Sequence, residues 1–202
     1  MKNVVLFIAL FIGLAVLVMA NKHEQWQLVR KTQGITVYNR GVDSSALQES
    51  KAVMTLHTTV NSALALILDV PNINTWMSHV HSCEIIEQIN DTAYYIRCVV
   101  DTPWPVSNRD IILRCTVLVD SNDKVSVQLN GVPNYSEEVT GFVRVPYFKG
   151  SFDWTKVGDK QVEVVHQVHV DPGGAIPAWL INLAAAEAPL NTMKNMRLLL
   201  EK

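Results

Sequence analysis

The chain of 202 residues contains only three cysteines, Cys83, Cys98 and Cys115. They are too few for a disulfide framework of the kind that holds small secreted proteins together, and at most one bridge can form within one chain. Lys and Arg, 17 in number, nearly balance 19 Asp and Glu, and no block of basic residues occurs. The charge pattern therefore does not indicate nucleic acid binding, and we expect no nucleic acid partner.

The sequence also lacks the common motifs of catalysis and cofactor binding. It has no Gly-rich phosphate loop, no nucleophile elbow and no paired-carboxylate pattern. His79, His81 and Cys83 alternate as metal ligands on one face of a strand could, but a polar start of a strand explains them more simply. We therefore predict no catalytic residue, no metal site and no cofactor.

A long apolar run lies at the N-terminus. Residues 4–19 follow Lys2, and the run closes on Val18, Met19 and Ala20, where small or β-branched residues suit a signal peptidase. We predict an export signal over residues 1–20 and a mature domain over residues 21–202, exported to the periplasm. Since the run is only slightly short for a bilayer span, an uncleaved membrane anchor is the alternative.

The C-terminal stretch combines a turn with an amphipathic helix. In residues 171–174, Pro172 presets φ for the second position of a type II turn and Gly173 supplies the positive φ of the third. A helix is predicted from Ile176, with Pro177 in its first turn. Apolar residues recur at steps of three and four and predict one stripe: Ile176, Trp179, Leu183, Ala186, Leu190 and Met193.

The middle of this stripe is small, because alanines occupy positions 184–186 and 188. Such a face suits either close packing on a sheet or the covering of something that is not protein. Pro189 removes a helical hydrogen bond and crowds the carbonyl of Ala185. We predict a bend or weak point near Pro189.

The first part of the mature chain predicts a helix followed by strands. Residues 25–32 are interpreted as a short helix anchored by Trp26 and Leu28. Residues 35–39 and 47–57 alternate well enough for a first pair of strands.

Helical signals return before the main β region. Asn61 is predicted to cap a helix over residues 62–69, and residues 74–78 are interpreted as a helical turn around Trp76. From there to Asp171 the chain consists of β-branched and aromatic segments separated by Gly, Pro, Asn and Asp, which predicts strands.

One hairpin can be placed if Asn90 and Asp91 form its two-residue turn. An acid then faces a base, which favours this register over a slip by one residue. The register brings two cysteines together at a hydrogen-bonded pair, where bridges are less usual, so their disulfide stays open. The predicted pairs are Ile86 with Tyr95, Glu84 with Arg97, and Cys83 with Cys98.

Two motifs carry a resemblance to a known family. PWPVSNRD at residues 103–110 and DPGGAIPAWLIN at residues 171–182 resemble the START family, the steroidogenic-acute-regulatory-related lipid transfer domains, with Trp26, the 34–38 strand and Trp76 in the expected order. The resemblance spans essentially the whole mature chain. It implies an α+β helix-grip fold, in which a curved antiparallel β-sheet wraps around a long C-terminal α-helix.

The same resemblance implies a function without chemistry. One lipid, such as a sterol, phospholipid or fatty acid, would occupy a tunnel between sheet and helix and be carried or presented between membranes, with transient membrane contact. Some sterol-binding relatives have an Arg at the position of Cys115, which puts a sterol in doubt here. The expected tunnel residues are Trp179, Leu183, Ala186, Leu190 and Met193 on the helix and Ile111, Leu113, Cys115 and Val117 on a strand.

Polar contacts to a lipid head are a separate expectation. Family members often place a charged residue inside the tunnel, and the matching position is Arg97, with Glu84 opposite and Tyr95 beside it. Such a buried pair could orient a hydroxyl, carboxylate or phosphate. Strand parity disagrees, because the more apolar face is that of Tyr94 and Ile96, which would turn Arg97 outward.

Two further functions stay open at this point. Helix-grip relatives include cyclases and hydrolases of hydrophobic substrates, in which Arg97, Glu84 and Tyr95 could act as acid–base groups. A lipid sensor held by an uncleaved N-terminal anchor is the other. Arg109 and Asp110 are predicted to be structural, bonding backbone near the Pro-rich loop.

Overall fold

The structure, a computed structural model, describes residues 25–43, 45–121 and 123–201. The predicted export signal lies outside these residues. Within them, ten strands form one sheet in the order β1-β2-β3-β10-β9-β7-β6-β5-β4, and the short β8 pairs with β6. The strands are β1 (Gln27–Thr32), β2 (Ile35–Val42), β3 (Ser45–Leu56), β4 (Val80–Asn90), β5 (Ala93–Val100), β6 (Arg109–Ser121), β7 (Lys124–Gly131), β8 (Val143–Arg144), β9 (Tyr147–Gly158) and β10 (Gln161–Asp171).

Helices cover one face of this sheet. The long C-terminal helix α2 (Ala178–Leu200) packs on β2 and β3, and the shorter α1 (Val60–Leu68) packs on β7 and β9. A 3-10 helix (Val70–Thr75) follows α1 and leads into β4. This arrangement confirms the predicted α+β architecture of an antiparallel sheet around a C-terminal helix. In the part of the chain that the structure describes, no helix is both long and apolar enough to span a bilayer.

The predicted first helix over residues 25–32 is wrong, because the chain there forms the edge strand β1. β1 pairs antiparallel with β2, with Thr32 opposite Ile35 across a tight turn. Trp26 is held by cations rather than by a helix core: the Arg40 guanidinium and the Lys51 ammonium lie 4.5 and 4.2 Å from its ring centre. Leu28 is largely exposed and anchors nothing. The predicted pairing of the next two strands, β2 and β3, is confirmed.

The start of α1 also differs from the prediction. Its N-cap is Thr59, whose hydroxyl accepts from the backbone N–H of Ser62 at 3.1 Å, and not Asn61. The predicted helical turn lies earlier, because Pro71 suits the first turn of a helix and starts the 3-10 helix. Trp76 therefore follows this helix instead of lying at its centre.

The β4–β5 hairpin keeps the predicted register from Ser82 to Ile85 and departs from it on both sides of that stretch. Glu84 pairs with Arg97 and Cys83 with Cys98, and these two cysteines form a disulfide. Towards the turn two bulges shift the register, so that Tyr95 faces Glu87 and not Ile86. The turn consists of residues 91–92, because the Asn90 side chain accepts from the N–H of Thr92 at 2.9 Å.

The positive φ predicted for Gly173 at the end of the sheet is present. Gly173 has a φ of +66°, and a side chain there would meet the ring of Pro146, so glycine is required for both reasons. The Asp171 carboxylate accepts from the Gly173 N–H at 2.9 Å. α2 then begins at Ala178 with Pro177 as its N-cap and continues past Pro189.

Candidate functional site

The covered face of the sheet carries one cluster of buried apolar side chains, which we call the interior cluster. Most of the predicted tunnel residues belong to this cluster. The side chain of Leu183 lies outside the described part, and Trp179 is 69% exposed and does not belong to the cluster. The predicted members are Ile111, Leu113, Cys115 and Val117 from β6 and Ala186, Leu190 and Met193 from α2.

The centre of the interior cluster is aromatic, and the sequence did not single it out as lining. Phe152 and Trp154 lie on β9 with their ring centres 5.8 Å apart, and Trp76 meets Phe152 edge-on at 5.7 Å. The ring of His166 on β10 stacks on the ring of Phe152, with their centres 4.0 Å apart. The alternation of β9 places the rings of Phe152 and Trp154 on the covered face. Only the tertiary structure brings Trp76, which follows the 3-10 helix, into contact with Phe152.

The polar groups of this interior are uncharged near neutral pH. Burial lowers the pKa of His166 to about 4, and its Nδ1–H donates to the carbonyl oxygen of Ser151 at 3.0 Å. Burial also raises the pKa of the Cys115 thiol to about 12 and raises that of the Tyr94 hydroxyl. The interior therefore presents neutral groups to anything it holds.

Arg97, Glu84 and Tyr95 do not join the interior cluster. The β5 residues in the interior cluster are Tyr94, Ile96 and Cys98, so the side chains between them point to the outer face, as strand parity indicated. Arg97 is 27% exposed and its Nη1 lies 3.9 Å from a carboxylate oxygen of Glu84, which is 65% exposed. The expected buried pair is therefore a partly solvated pair on the outside.

The outer face at this point is covered by the loop of residues 132–142. Arg97 Nη2 donates to the hydroxyl of Ser136 at 3.2 Å. The ring of Tyr135 stacks on that of Tyr95 with centres 4.1 Å apart, and its hydroxyl donates to Glu87. These contacts tie a loop to the sheet, and they account for the positions of Arg97 and Tyr95 without a ligand.

Arg109 has the predicted structural role. Its guanidinium is buried and donates to the carbonyls of Pro172 at 3.3 Å, of Gly173 at 3.1 Å, and of Ser107. It thereby joins the end of the Pro-rich loop to the turn that leads into α2. The two sequence motifs are in contact through this side chain.

Asp110 was predicted to bond backbone, but its partner is another side chain. Its carboxylate accepts from Arg144 Nε at 3.0 Å and Nη2 at 2.8 Å, and the two side chains are only 2% and 4% exposed. Arg144 donates further to the carbonyls of Pro133, Ser136 and Glu137. The sequence contains no signal for this pair, because 34 residues separate its members.

The metal alternative conflicts with the geometry. The sulfur of Cys83 is bonded to Cys98, so it cannot serve as a thiolate ligand. His81 Nδ1 lies 3.2 Å from Asp101. The described residues contain no cluster of three metal-binding side chains.

The N-terminal half of α2 is tied to the start of β3. The Asn182 amide accepts from the Gln48 N–H at 3.0 Å and donates to the Ala46 carbonyl at 3.1 Å. The ladder between β10 and β3 ends at the pair of Val168 and Ser50, so Asn182 takes the place of the strand beyond it. A side chain thus continues the sheet and fixes the helix to it.

Ser50 compensates for Pro189. Proline has no N–H, so the carbonyl of Ala185, four residues earlier, loses its helical partner. The buried Ser50 hydroxyl donates to this carbonyl at 2.7 Å from β3. The predicted weak point at Pro189 stays a prediction, but the structure supplies the bond that opposes it.

We expect Ser50→Ala to lower the free energy of unfolding by about 1 kcal/mol, because a buried carbonyl loses its donor. Pro189→Ala restores an N–H to the helix. When Ser50→Ala is combined with Pro189→Ala, it should lower the free energy of unfolding by clearly less than it does alone. Urea unfolding of the two single variants and the double variant measures the difference. An equal cost in both backgrounds would show that the hydroxyl does not compensate for the proline.

A groove of about 260 Å³ lies beside α2, between its N-terminal half and β1 to β3. Six of the eight residues that line it are polar or charged, and two of these, Arg30 and Glu187, form an ion pair of 2.9 Å. Ala186 lines this groove and also belongs to the interior cluster, so the two adjoin at this residue.

Comparison with known proteins agrees with the fold and the motifs. A family model described as START domain matches residues 14–201. An uncharacterized protein of Pseudomonas aeruginosa is 32% identical over 89% of this chain and 88% of its own length. The phosphatidylcholine transfer protein of Rattus norvegicus is 32% identical over 85% of this chain and 81% of its own length.

A solved structure adds the three-dimensional comparison. The STAR-related lipid transfer protein from Xanthomonas axonopodis is similar with a TM-score of 0.79 and 34% identity, covering 88% of this chain and 99% of that one. On the family match, these relatives and the fold, this chain belongs to the START domain family.

Proposed function

We propose that this START domain binds one acyl lipid between its sheet and α2 and carries it between membranes. The observation that carries the proposal is the continuous apolar interior from β6 to α2, closed by neutral polar groups. Relatives named as a phosphatidylcholine transfer protein and a STAR-related lipid transfer protein support it. Burial of each methylene contributes about 0.8 kcal/mol, so such an interior favours acyl chains strongly.

A carrier fits this chain better than the enzyme alternative. The acid–base groups of that alternative, Arg97, Glu84 and Tyr95, lie on the outer face and are used to hold a loop. They are separated by the sheet itself from the interior cluster. Recovery of the same lipid, unaltered after prolonged incubation with the protein, would support carriage.

The loading step can be tested at the small centre of the α2 stripe. In Ala186→Phe, a ring enters the interior cluster and displaces several methylenes of the lipid, so loading should fall by about tenfold or more. Ala184→Phe, on the exposed side of the same helical turn, is the matched control and should load normally. Native mass spectrometry of protein incubated with dioleoyl phosphatidylcholine vesicles measures the loaded fraction. If neither the original protein nor the control carries a lipid mass, the proposed function is wrong.

We also propose that the membrane is contacted by the end of the molecule at the Pro-rich loop. Trp104 in that loop is 92% exposed, and Trp179 and Leu180 at the start of α2 are 69% and 40% exposed. Arg109 holds the loop and the turn before α2 together, so these apolar side chains belong to one end. Exposed tryptophans of this kind suit a membrane interface.

Trp104→Ala is expected to slow lipid transfer between vesicles by about tenfold, because the indole no longer enters the interface. Loading in detergent should be unchanged, since Trp104 lies outside the interior cluster. Leu198→Ala removes another exposed apolar side chain, at the opposite end of α2 from Trp179, and serves as the control. Equal transfer rates for the two variants would argue against contact through Trp104.

We further propose export to the periplasm, with residues 1–20 as the signal. The Cys83–Cys98 disulfide supports this, because such bonds persist in oxidising compartments. N-terminal sequencing of the protein from a periplasmic fraction tests it. A first residue of Asn21 is the expected result, whereas an intact N-terminus in the membrane fraction would favour the anchored sensor.

A further inference from the structure

Two tryptophans in the interior cluster have indole N–H groups without a hydrogen-bond partner among the described residues. They are Trp76 and Trp154, and both are almost completely buried. The backbone of Trp76 is bonded, since its N–H donates to Ile73 and its carbonyl accepts from Asn195. At Trp76 the unpaired group is therefore the indole N–H alone.

A buried donor without an acceptor is rare in a folded protein and costs free energy. Here two of them lie around one ring. Trp154 stacks against Phe152 and Trp76 meets the same ring edge-on, at centre distances of 5.8 and 5.7 Å. Both belong to the cluster that also contains the predicted lining of β6 and α2. The acceptor that pairs with them has to be something that enters this interior.

The charge of the surroundings restricts what that acceptor can be. The buried guanidinium groups, Arg109 and Arg144, are already bonded through every nitrogen to carbonyls or to Asp110. His166, the titratable neighbour of Phe152, stays neutral. An anionic carboxylate or phosphate would therefore be buried at this place without a counter-ion, which is strongly unfavourable. An uncharged oxygen can be buried here without a counter-ion.

We propose that the indole N–H groups of Trp76 and Trp154 bind the ester carbonyl oxygens of the lipid, so that the interior selects ester-linked acyl lipids over lipids without a carbonyl. The inference rests on the proposed function and adds the chemical class of the cargo. It assigns the carbonyl region of the lipid to the centre of the sheet, beside Phe152.

The test compares dioleoyl phosphatidylcholine with its dialkyl ether analogue, which has the same head group and chain length but lacks both carbonyls. One neutral hydrogen bond corresponds to about fivefold in affinity, so two such bonds should make the protein prefer the diester by about 25-fold. Trp76→Phe and Trp154→Phe keep the aromatic ring and remove the N–H. Each should reduce the preference about fivefold by weakening diester binding, with ether binding unchanged.

Trp26→Phe is the matched control, because its indole lies outside the interior cluster under Arg40 and Lys51. It should keep the full preference. Equal affinity of the original protein for both lipids would overturn the inference and leave lipid carriage standing. Binding of neither lipid would overturn both.

A measurement on the unmutated protein covers the case in which a variant does not fold. With 15N-labelled indoles, the Nε1–H resonances of Trp76 and Trp154 should move downfield when the diester is loaded and stay in place with the ether. The resonances of Trp26 and Trp104 should respond alike to both lipids. Unchanged Trp76 and Trp154 resonances on loading with the diester would refute the proposed bonds.

Discussion

Arg144→Met is expected to lower the free energy of unfolding by about 3–5 kcal/mol. The substitution leaves the Asp110 carboxylate buried and without its cation, since the two groups are 2.8 Å apart and almost fully enclosed. It also removes the donor to three carbonyls of the preceding loop, those of Pro133, Ser136 and Glu137. Urea unfolding followed by tryptophan fluorescence measures the loss.

An exposed ion pair provides the control. Lys156 and Asp123 lie 3.5 Å apart with about half or more of each side chain exposed, so Lys156→Met should cost less than about 1 kcal/mol. The double variant Asp110→Leu with Arg144→Met should recover part of the stability, because no charge is then left buried. A cost for Arg144→Met as small as that for Lys156→Met would contradict the role assigned to this pair.

Loss of the Cys83–Cys98 disulfide is the second large expected effect. The bond joins residues 15 apart in sequence, and a loop of that length stabilises the folded chain by about 3 kcal/mol through the unfolded state. Cys83→Ala with Cys98→Ala should therefore lower the free energy of unfolding by about that amount. Alanine is chosen because both positions are buried among apolar side chains.

The same double variant separates the disulfide from other effects of reduction. Dithiothreitol should lower the melting temperature of the original protein and leave that of the double variant unchanged. Cys115, which is buried and free, should react with a thiol reagent only on unfolding in both proteins. A melting temperature that does not respond to reductant in the original protein would show that the bond contributes little or does not form.

Much of the candidate site could be predicted from local pattern. Alternation along β6 placed Ile111, Leu113, Cys115 and Val117 on one face, and the helical steps placed Ala186, Leu190 and Met193 on another; the structure puts both sets in the interior cluster. The alternation of side chains along β5 also predicted that Arg97 points to the outer face, whereas the resemblance to the family predicted a position inside the tunnel. Where these two arguments disagreed, the backbone geometry of the strand decided, because side chains alternate without exception along a regular strand.

Pattern failed where a distant contact overrides local preference. Residues 25–32 were interpreted as a helix, but a free edge of β2 was available and the chain pairs with it as β1. The hairpin turn moved by one residue because two bulges lie between Ile85 and Asn90 of β4, and bulges leave no clear mark in the sequence. Trp179 follows the helical stripe and is nevertheless 69% exposed, which the spacing along the helix could not indicate.

By itself the sequence determined the family, the alternation of the strands, the turn at Gly173 and the apolar stripe of α2, because these depend on residues close together in the chain. Only the tertiary structure decided that Asp110 meets Arg144, that Ser50 serves the carbonyl left by Pro189, and that Trp76 and Trp154 share Phe152. Each of these contacts joins separate elements of the sheet and helices. Their partners are set by the order of strands and the path of α2, and local spacing carries no information about either.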